Sequence, residues 1–506
     1  VLGFSAAKNW MGKMQWYYNV DLKVKRLGDD LKFKSSSSMG KIRFELLIPW
    51  STVKPYHPWI SESIAFNLCF VKALNSSDKS YHFIKVDERM QSEQSRRKYV
   101  RLTFDEAGKH DGFYSLPSRH NYLIGNKAII NLAGSSGREI QKNFTVKLLS
   151  PEEEEIYSED FCIKTNPGLS EYTLKPDHGF SSSGNYVIRV FEEGDLLNEN
   201  TITVFDSINI PALRDDLGKH KDNISEGSYN TISFYINDLE NEIKNLKSYE
   251  SSATINNEIT RIKAYLEIIN NGKDPLACEP GARRRAFLSK LDSTLRPYSV
   301  YVPEEYSHAE KYPLLVYLHG SGQDDRALFN SDYIKQGFIV LAPNGRGTSN
   351  CYATTESQTD IREAVEDVFK NFNIDREKVI LSGFSMGGYG VYMTHYENPQ
   401  TYSALAIISG HPYLAKKWGY GERLNFLDEN LAASFSDIPV FVYHALNDMN
   451  CPWDITSEMI NKLKKHNDRI IFKSDKNSGH GSMNDDIKKE YHDWLIRNVR
   501  SGLRNE

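Results

Sequence analysis

The segment Val379-Ile-Leu-Ser-Gly383-Phe-Ser385-Met-Gly387-Gly388 sets a serine between glycines two residues before and two after it. An apolar strand pattern precedes it and a helical pattern follows. That is the setting in which a Gly-x-Ser-x-Gly turn becomes a nucleophile elbow, because a turn this tight excludes bulky neighbours. Ser385 would then project its hydroxyl above a sheet, with the first amides of the next helix facing any negative charge that develops.

A serine hydroxyl near neutral pH is a poor nucleophile and needs a base, itself oriented by an acid. In this type of fold the chain order is serine, acid, histidine. His480, in Asn477-Ser-Gly-His-Gly-Ser482 between the last strand and the last helix, is the expected base. His395 and His492 fall inside predicted helices, His444 ends a strand, and His466 lies at a lysine-rich helix end. Asp448, in His444-Ala-Leu-Asn-Asp-Met-Asn-Cys-Pro452, is the expected acid. Its rival Asp454 reads as the N-cap of the following helix, and Asp475 ends the strand leading to the histidine loop. An oxyanion hole needs two amides: that of Met386, after the serine, and that of Ser321, from Leu318-His-Gly-Ser-Gly322 after an early strand. His319 precedes the serine in the chain and reads as structural. Serine chemistry of this kind requires no cofactor and no metal.

Specificity would come from His411 and from the aromatics Trp453 and Trp418, which suit a pocket for an aromatic acyl group or ordinary packing equally.

The elements around these residues alternate. Leu314–Leu318, Phe338–Leu341, Val379–Ser382, Ala404–Ile408, Val440–Tyr443 and Ile470–Phe472 are apolar runs, as in strands covered on both faces. Helical patterns intervene at Asp360–Phe372, Gly387–Glu397, Asp454–Lys465 and Asp485–Val499. Residues 285–506 therefore read as a catalytic α/β domain, a mostly parallel sheet covered by helices.

Earlier regions read differently. Residues 1–110 show period-two strands at Lys41–Trp50, Ser63–Val71 and Tyr99–Thr103, parted by polar Ser35–Ser38 and Asn75–Lys79, and predict a β-sandwich. Residues 111–208, with short strands at Lys127–Leu132, Phe144–Leu149, Tyr186–Val190 and Thr201–Phe205, predict an immunoglobulin-like β-sandwich. In 209–275 the period changes to that of a helix. Ile232, Ile236, Leu239, Ile243 and Leu246 share one face, as do Ile255, Ile259, Ile262, Leu266 and Ile269, predicting a helical hairpin linker.

Composition bounds the partners. Of 506 residues, 62 are Lys or Arg and 67 Asp or Glu, a net −5, which argues against nucleic acid as a partner. No apolar run is long enough to span a membrane. The five cysteines lie more than 70 residues apart and form no metal-ligand spacing, and Cys351 with Cys451 is the expected pair if a disulfide exists. The chain opens Val-Leu-Gly, so a start or signal segment is expected to be missing and the protein to be secreted or periplasmic. Oligomeric state is not readable.

Four motifs in order, Tyr317-Leu-His-Gly-Ser-Gly-Gln-Asp-Asp325, Ala342-Pro-Asn-Gly-Arg-Gly347, Asp375–Gly388 and His444-x-x-x-Asp448-x-x-x-Pro452, resemble α/β-hydrolases of the polyhydroxybutyrate-depolymerase and feruloyl-esterase-like group. The resemblance implies serine carboxylester hydrolysis with Ser385, Asp448 and His480 as the triad. Ala445 departs from the usual glycine, and Ser409-Gly-His411-Pro sets an imidazole where that group often has small residues. Phe44-Glu-Leu-Leu-Ile-Pro-Trp-Ser51 with Ile64-Ala-Phe-Asn-Leu resembles part of a family 9 carbohydrate-binding module; Trp10, Trp16, Trp50 and Trp59 would then offer flat apolar faces to sugar rings, although core packing is the commoner role of a tryptophan. Together these predict an esterase acting on feruloyl or acetyl groups of plant cell-wall polysaccharide. Two alternatives stand beside it. A serine peptidase resembling the prolyl oligopeptidase group would usually carry a propeller of about 300 residues with visible repeats, and none is visible. A glycan-binding protein with an inactive hydrolase domain sits poorly with an intact set of catalytic residues.

Overall fold

The computed structural model describes residues 111–206, 208–244, 251–277, 280–330, 337–420, 423–476, 478–481 and 483–500, with only short stretches before residue 111. The chain divides into two compact units, 1–208 with 242–256 and 209–241 with 257–506.

In the second unit, eight strands form one sheet: β1 (Gly281–Leu288), β2 (Leu295–Val302), β3 (Tyr312–Leu318), β4 (Ile339–Pro343), β5 (Ile374–Phe384), β6 (Ala404–Ile408), β7 (Val440–Ala445) and β8 (Ile470–Asp475). Their order is β1-β2-β4-β3-β5-β6-β7-β8. β2 runs antiparallel to both neighbours, and from β4 to β8 every pairing is parallel. This mixed sheet with helices on both faces is the α/β-hydrolase fold. It begins at Gly281, ahead of the boundary expected at 285, because the edge strand β1 and its neighbour β2 pair antiparallel and lack the uninterrupted apolar runs of the centre.

Alternation on β3 shows why the sheet needs two covers. Leu314, Val316 and Leu318 enter a core with Ile361, Val365 and Val368 of α4 (Thr355–Asn371), Tyr389 and Tyr392 of α5 (Met386–Glu397), and Met459 and Leu463 of α8 (Trp453–His466). Leu315 and Tyr317 face the opposite core with Tyr491, Trp494 and Leu495 of α9 (Asp485–Arg500).

Three helices precede the sheet: α1 (Ile210–Gly218), α2 (Glu226–Lys244) and α3 (Ser251–Asn270). The apolar stripes bury Ile232, Ile236 and Leu239 on one helix and Ile255, Ile262, Leu266 and Ile269 on the other, while Leu246 lies outside the described residues. The Ala286 amide donates to Thr231 Oγ1 at 2.9 Å, and Tyr235 donates to Arg284 O at 3.0 Å, which fixes α2 to β1.

In the first unit a three-stranded sheet (Gly112–Pro117, Ile130–Ser136, Gly168–Leu174) and a five-stranded sheet (Asn121–Leu123, Ile140–Leu149, Glu155–Thr165, Gly184–Glu192, Asp195–Phe205) share one apolar core. The strands at 112–117, 155–165 and 168–174 escaped the sequence reading. Glu155–Thr165 shows why: its side chains alternate between exposed and half-buried, with a buried residue only at the end.

Before residue 111, Lys32–Ser38 pairs antiparallel with Lys41–Leu47, so Ser35–Ser38 is strand, correcting its reading as a polar break. Trp10 and Trp16 lie outside the described residues, as do parts of the module-like segment. Trp50 and Trp59 meet the ring of His57 edge-on at 6.0 and 5.2 Å, and His57 stacks on Tyr114 at 3.8 Å. Among the described residues, no helix is long and apolar enough to cross a membrane.

Candidate active site

Parallel strands deliver the chemistry at their carboxyl ends. β3 leads to Ser321, β5 to Ser385, β7 to Asp448 and β8 to His480, and the order reverses between β3 and β5, the place where such sheets form a crevice.

Ser385 joins β5 to α5 with φ 55° and ψ −111°, a backbone conformation that a non-glycine residue adopts only when its surroundings force it. Packing supplies the force. A Cβ on Gly383 would lie 2.2 Å from Gly387 O, and one on Gly387 would lie 2.0 Å from Leu318 O. The Ser385 amide donates to Ile408 O at 2.8 Å, tying the turn to β6. Ser385 occupies the N-cap position of α5, yet its hydroxyl makes no capping bond.

That hydroxyl lies 2.8 Å from His480 Nε2, and His480 Nδ1 lies 2.7 Å from Asp448 Oδ2. With Nδ1–H donating to the carboxylate, Nε2 is the acceptor for the serine proton. Asp448 Oδ1 accepts from the amides of Asn450 and Cys451, both at 2.9 Å. Burial pushes the Asp448 carboxyl up, but the hydrogen bonds from His480 and Cys451 outweigh it and hold the group below its ordinary value.

Among the oxyanion-loop amides, Gly320 donates to Gln323 Oε1 at 3.1 Å and Gly322 to Thr348 O at 2.7 Å. The Ser321 amide has no partner among the described residues, and neither has that of Met386 in the first turn of α5. The His319 ring lies between Gly320 O at 2.9 Å and Asn344 O at 3.2 Å, bracing this loop from beneath.

The rival residues fall elsewhere. His395 packs beside Phe435, and His466 bonds Glu429. Asp454 is the second residue of α8, whose N-cap is Pro452, so its reading as the cap is corrected. Asp475 accepts from Ser478 Oγ at 2.8 Å and Asn484 Nδ2 at 2.9 Å, which shapes the loop carrying His480. Of the pocket candidates, Trp453 stacks on Phe472 at 5.4 Å, Trp418 at the end of α6 (Leu414–Lys417) is exposed, and His411 is buried. His411 Nδ1 accepts the Tyr413 amide at 3.3 Å, while Nε2 has no partner among the described residues, and burial lowers its pKa to about 4.

Two side chains, His444 and Cys451, stand at the site in positions that the sequence did not mark. His444 donates from Nε2 to Cys451 O at 2.7 Å, fixing the loop whose amides hold Asp448, and burial lowers the pKa of its ring. Cys351 and Cys451 are free, buried thiols, which corrects the expected pairing, and burial pushes both up to about 12. The fold instead brings a carboxylate oxygen of Asp448, the Cys451 sulfur and a His480 ring nitrogen within 4.8 Å of one another. The spacing Asp448-x-x-Cys451 is the local signal, but the third member arrives 29 residues later through the sheet.

Residues 326–498 match the model of the prolyl oligopeptidase family. A bifunctional acetylxylan esterase/xylanase of Neocallimastix patriciarum is 32% identical over 123 residues, 23% of this chain and 18% of that protein. A prolyl endopeptidase FAP of Bos taurus is 26% identical over 142 residues, 24% of this chain and 17% of that protein. The chain thus spans less than a fifth of the length of these two relatives. A solved ferulic acid esterase of Anaeromyces mucronatus aligns over 45% of this chain and 94% of its own, at 19% identity and a TM-score of 0.36. The C-terminal region is an α/β-hydrolase domain, similar over residues 326–498 to the prolyl oligopeptidase family.

Proposed function

We propose that the C-terminal domain is a serine carboxylester hydrolase that removes feruloyl or acetyl groups from plant cell-wall polysaccharide. The observation carrying the chemistry is the continuous relay Ser385 Oγ–His480 Nε2 and His480 Nδ1–Asp448 Oδ2, at 2.8 and 2.7 Å. His480 takes the Ser385 proton as the hydroxyl attacks the ester carbonyl. The uncommitted amides of Ser321 and Met386 hold the oxyanion, and His480 returns the proton to the leaving alcohol. A water, activated by the same imidazole, then releases the acyl group.

The partial likeness to an acetylxylan esterase/xylanase and the four motifs of the hydrolase region support the substrate class. On this reading the protein is secreted or periplasmic, and the β-rich N-terminal region, a module-like sandwich followed by an immunoglobulin-like one, holds polysaccharide. Its isolated binding to xylan would be seen in affinity gels. The family match at 326–498 favours a second reading, a peptidase cleaving after proline.

The deciding measurement is chromatography of the acids released from feruloylated, acetylated arabinoxylan, with Ser385→Ala as the blank. Ser385-dependent ferulate or acetate carries the proposal. Cleavage of prolyl amides in place of esters would overturn it in favour of the peptidase. Glycan binding with no Ser385-dependent cleavage would leave an inactive hydrolase domain.

A further inference from the structure

Three groups of different softness converge beside the relay: the Asp448 carboxylate, the Cys451 thiol and a His480 ring nitrogen. Asp448 and Cys451 are buried, at 5% and 3% exposure, and His480 is half-buried. A tetrahedral zinc ion holds S, N and O ligands at roughly 2.0–2.3 Å, which sets them about 3.3–3.6 Å apart. Here the ligand atoms all lie within 4.8 Å of one another, with His480 Nδ1 and Asp448 Oδ2 at 2.7 Å, so binding needs shifts on the order of 1 Å and replaces the hydrogen bond of that pair with two bonds to the ion. The loop that carries the thiol is exposed on the side that precedes it: Asn447, Met449 and Asn450 face solvent, Met449 at 75%, and Pro452 after it is half-buried.

We propose that Asp448, Cys451 and His480 form a reversible inhibitory site for a thiophilic divalent cation, zinc above all. As regulation of the hydrolase centre this rests on the proposed function, but binding itself does not. Zinc accepts the Nδ1 lone pair of His480 and an oxygen of Asp448. The imidazole proton moves from Nδ1 to Nε2. The Cys451 S–H bond breaks, its proton goes to water, and a sulfur–zinc bond forms. One thiolate and one carboxylate neutralise the two charges of the ion, which is what a buried site requires. His480 then presents an N–H to Ser385, where catalysis needs a lone pair, so the serine proton has no acceptor. Magnesium and calcium, which take oxygen ligands, have no such hold on a thiolate.

The test titrates zinc chloride against Ser385-dependent hydrolysis of an aryl ester, each variant measured against its own zinc-free rate. We expect more than tenfold loss of rate in the wild type, full recovery with a chelator, and no comparable loss with magnesium. Cys451→Val should need at least tenfold more zinc. Cobalt(II) gives a second readout that does not depend on turnover. A thiolate-to-cobalt charge-transfer band should appear in the wild type and in Ser385→Ala, and vanish in Cys451→Val. Equal zinc sensitivity in Cys451→Val, or no thiolate band in the wild type, overturns the site. A thiolate band in a protein that cleaves no ester would sink the esterase reading and leave the metal site standing.

Discussion

Ser385 and Asp448 face the same histidine but are held by different forces. The serine turn is shaped by backbone packed against backbone, with Gly383 against Gly387 O and Gly387 against Leu318 O. The acid loop is shaped by hydrogen bonds: two amides on Asp448 Oδ1 and His444 on Cys451 O. Close packing tolerates no added atom, because displacing backbone strains the whole sheet edge. A hydrogen-bonded loop gives way in steps, one bond at a time. The Ser385 turn is thus held by exclusion, whereas the Asp448 loop is held by satisfied hydrogen bonds.

Breaking the chemistry itself comes first. Ser385→Ala should lower kcat by about five to six orders of magnitude, read in ester turnover with the fold intact by circular dichroism. Asp448→Asn keeps the shape but removes the charge and favours the wrong tautomer of His480, so kcat should fall by about 10⁴. A fall of only tenfold would show that the loop amides, rather than the carboxylate, orient the imidazole.

Stability tests the packing side. Gly387→Ala drives a methyl into Leu318 O and should cost about 3 kcal/mol or more, seen as a fall in Tm of roughly 6–12 °C. An unchanged Tm would mean that the elbow is not packing-limited.

The buried ring beyond β6 gives the pH dependence. His411, lowered to about 4 by burial, stays neutral in the folded chain, while an unfolded histidine protonates near 6.5. Its contribution is complete above pH 6.5 and is lost progressively as pH falls toward 4. At pH 5 the loss amounts to about 2 kcal/mol. His411→Asn should shrink the Tm drop between pH 7 and pH 5, and an identical drop in the variant would remove His411 from the account. The smallest effect is expected on the acid side, where His444→Phe deletes a single bond to Cys451 O. About 1–1.5 kcal/mol, or roughly a tenfold lower kcat, should follow.

Much of this was legible because it is local. The run before Ser385 is apolar and uninterrupted because β5 is covered on both faces, and the two glycines mark the turn directly. β1 was not legible, since an edge strand such as Ala282-Arg-Arg-Arg285 carries charged side chains, and Arg285 is buried by donating to Leu276 O, Asn371 and Tyr298. Cysteine spacing along the chain likewise hid what surrounds Cys451, which lies three residues from Asp448 but meets His480 only through β8 and its loop.

The sequence by itself determined the order of nucleophile, acid and base, the strands that carry them and the tight turn at Ser385, because each is written in contiguous residue types. Only the tertiary structure decided that Thr348 O takes the Gly322 amide while that of Ser321 stays uncommitted, that Cys351 and Cys451 remain thiols, and that a sulfur lies beside the Asp448–His480 pair. Those outcomes depend on distances between segments far apart in the chain, and the strand order of the sheet sets those distances.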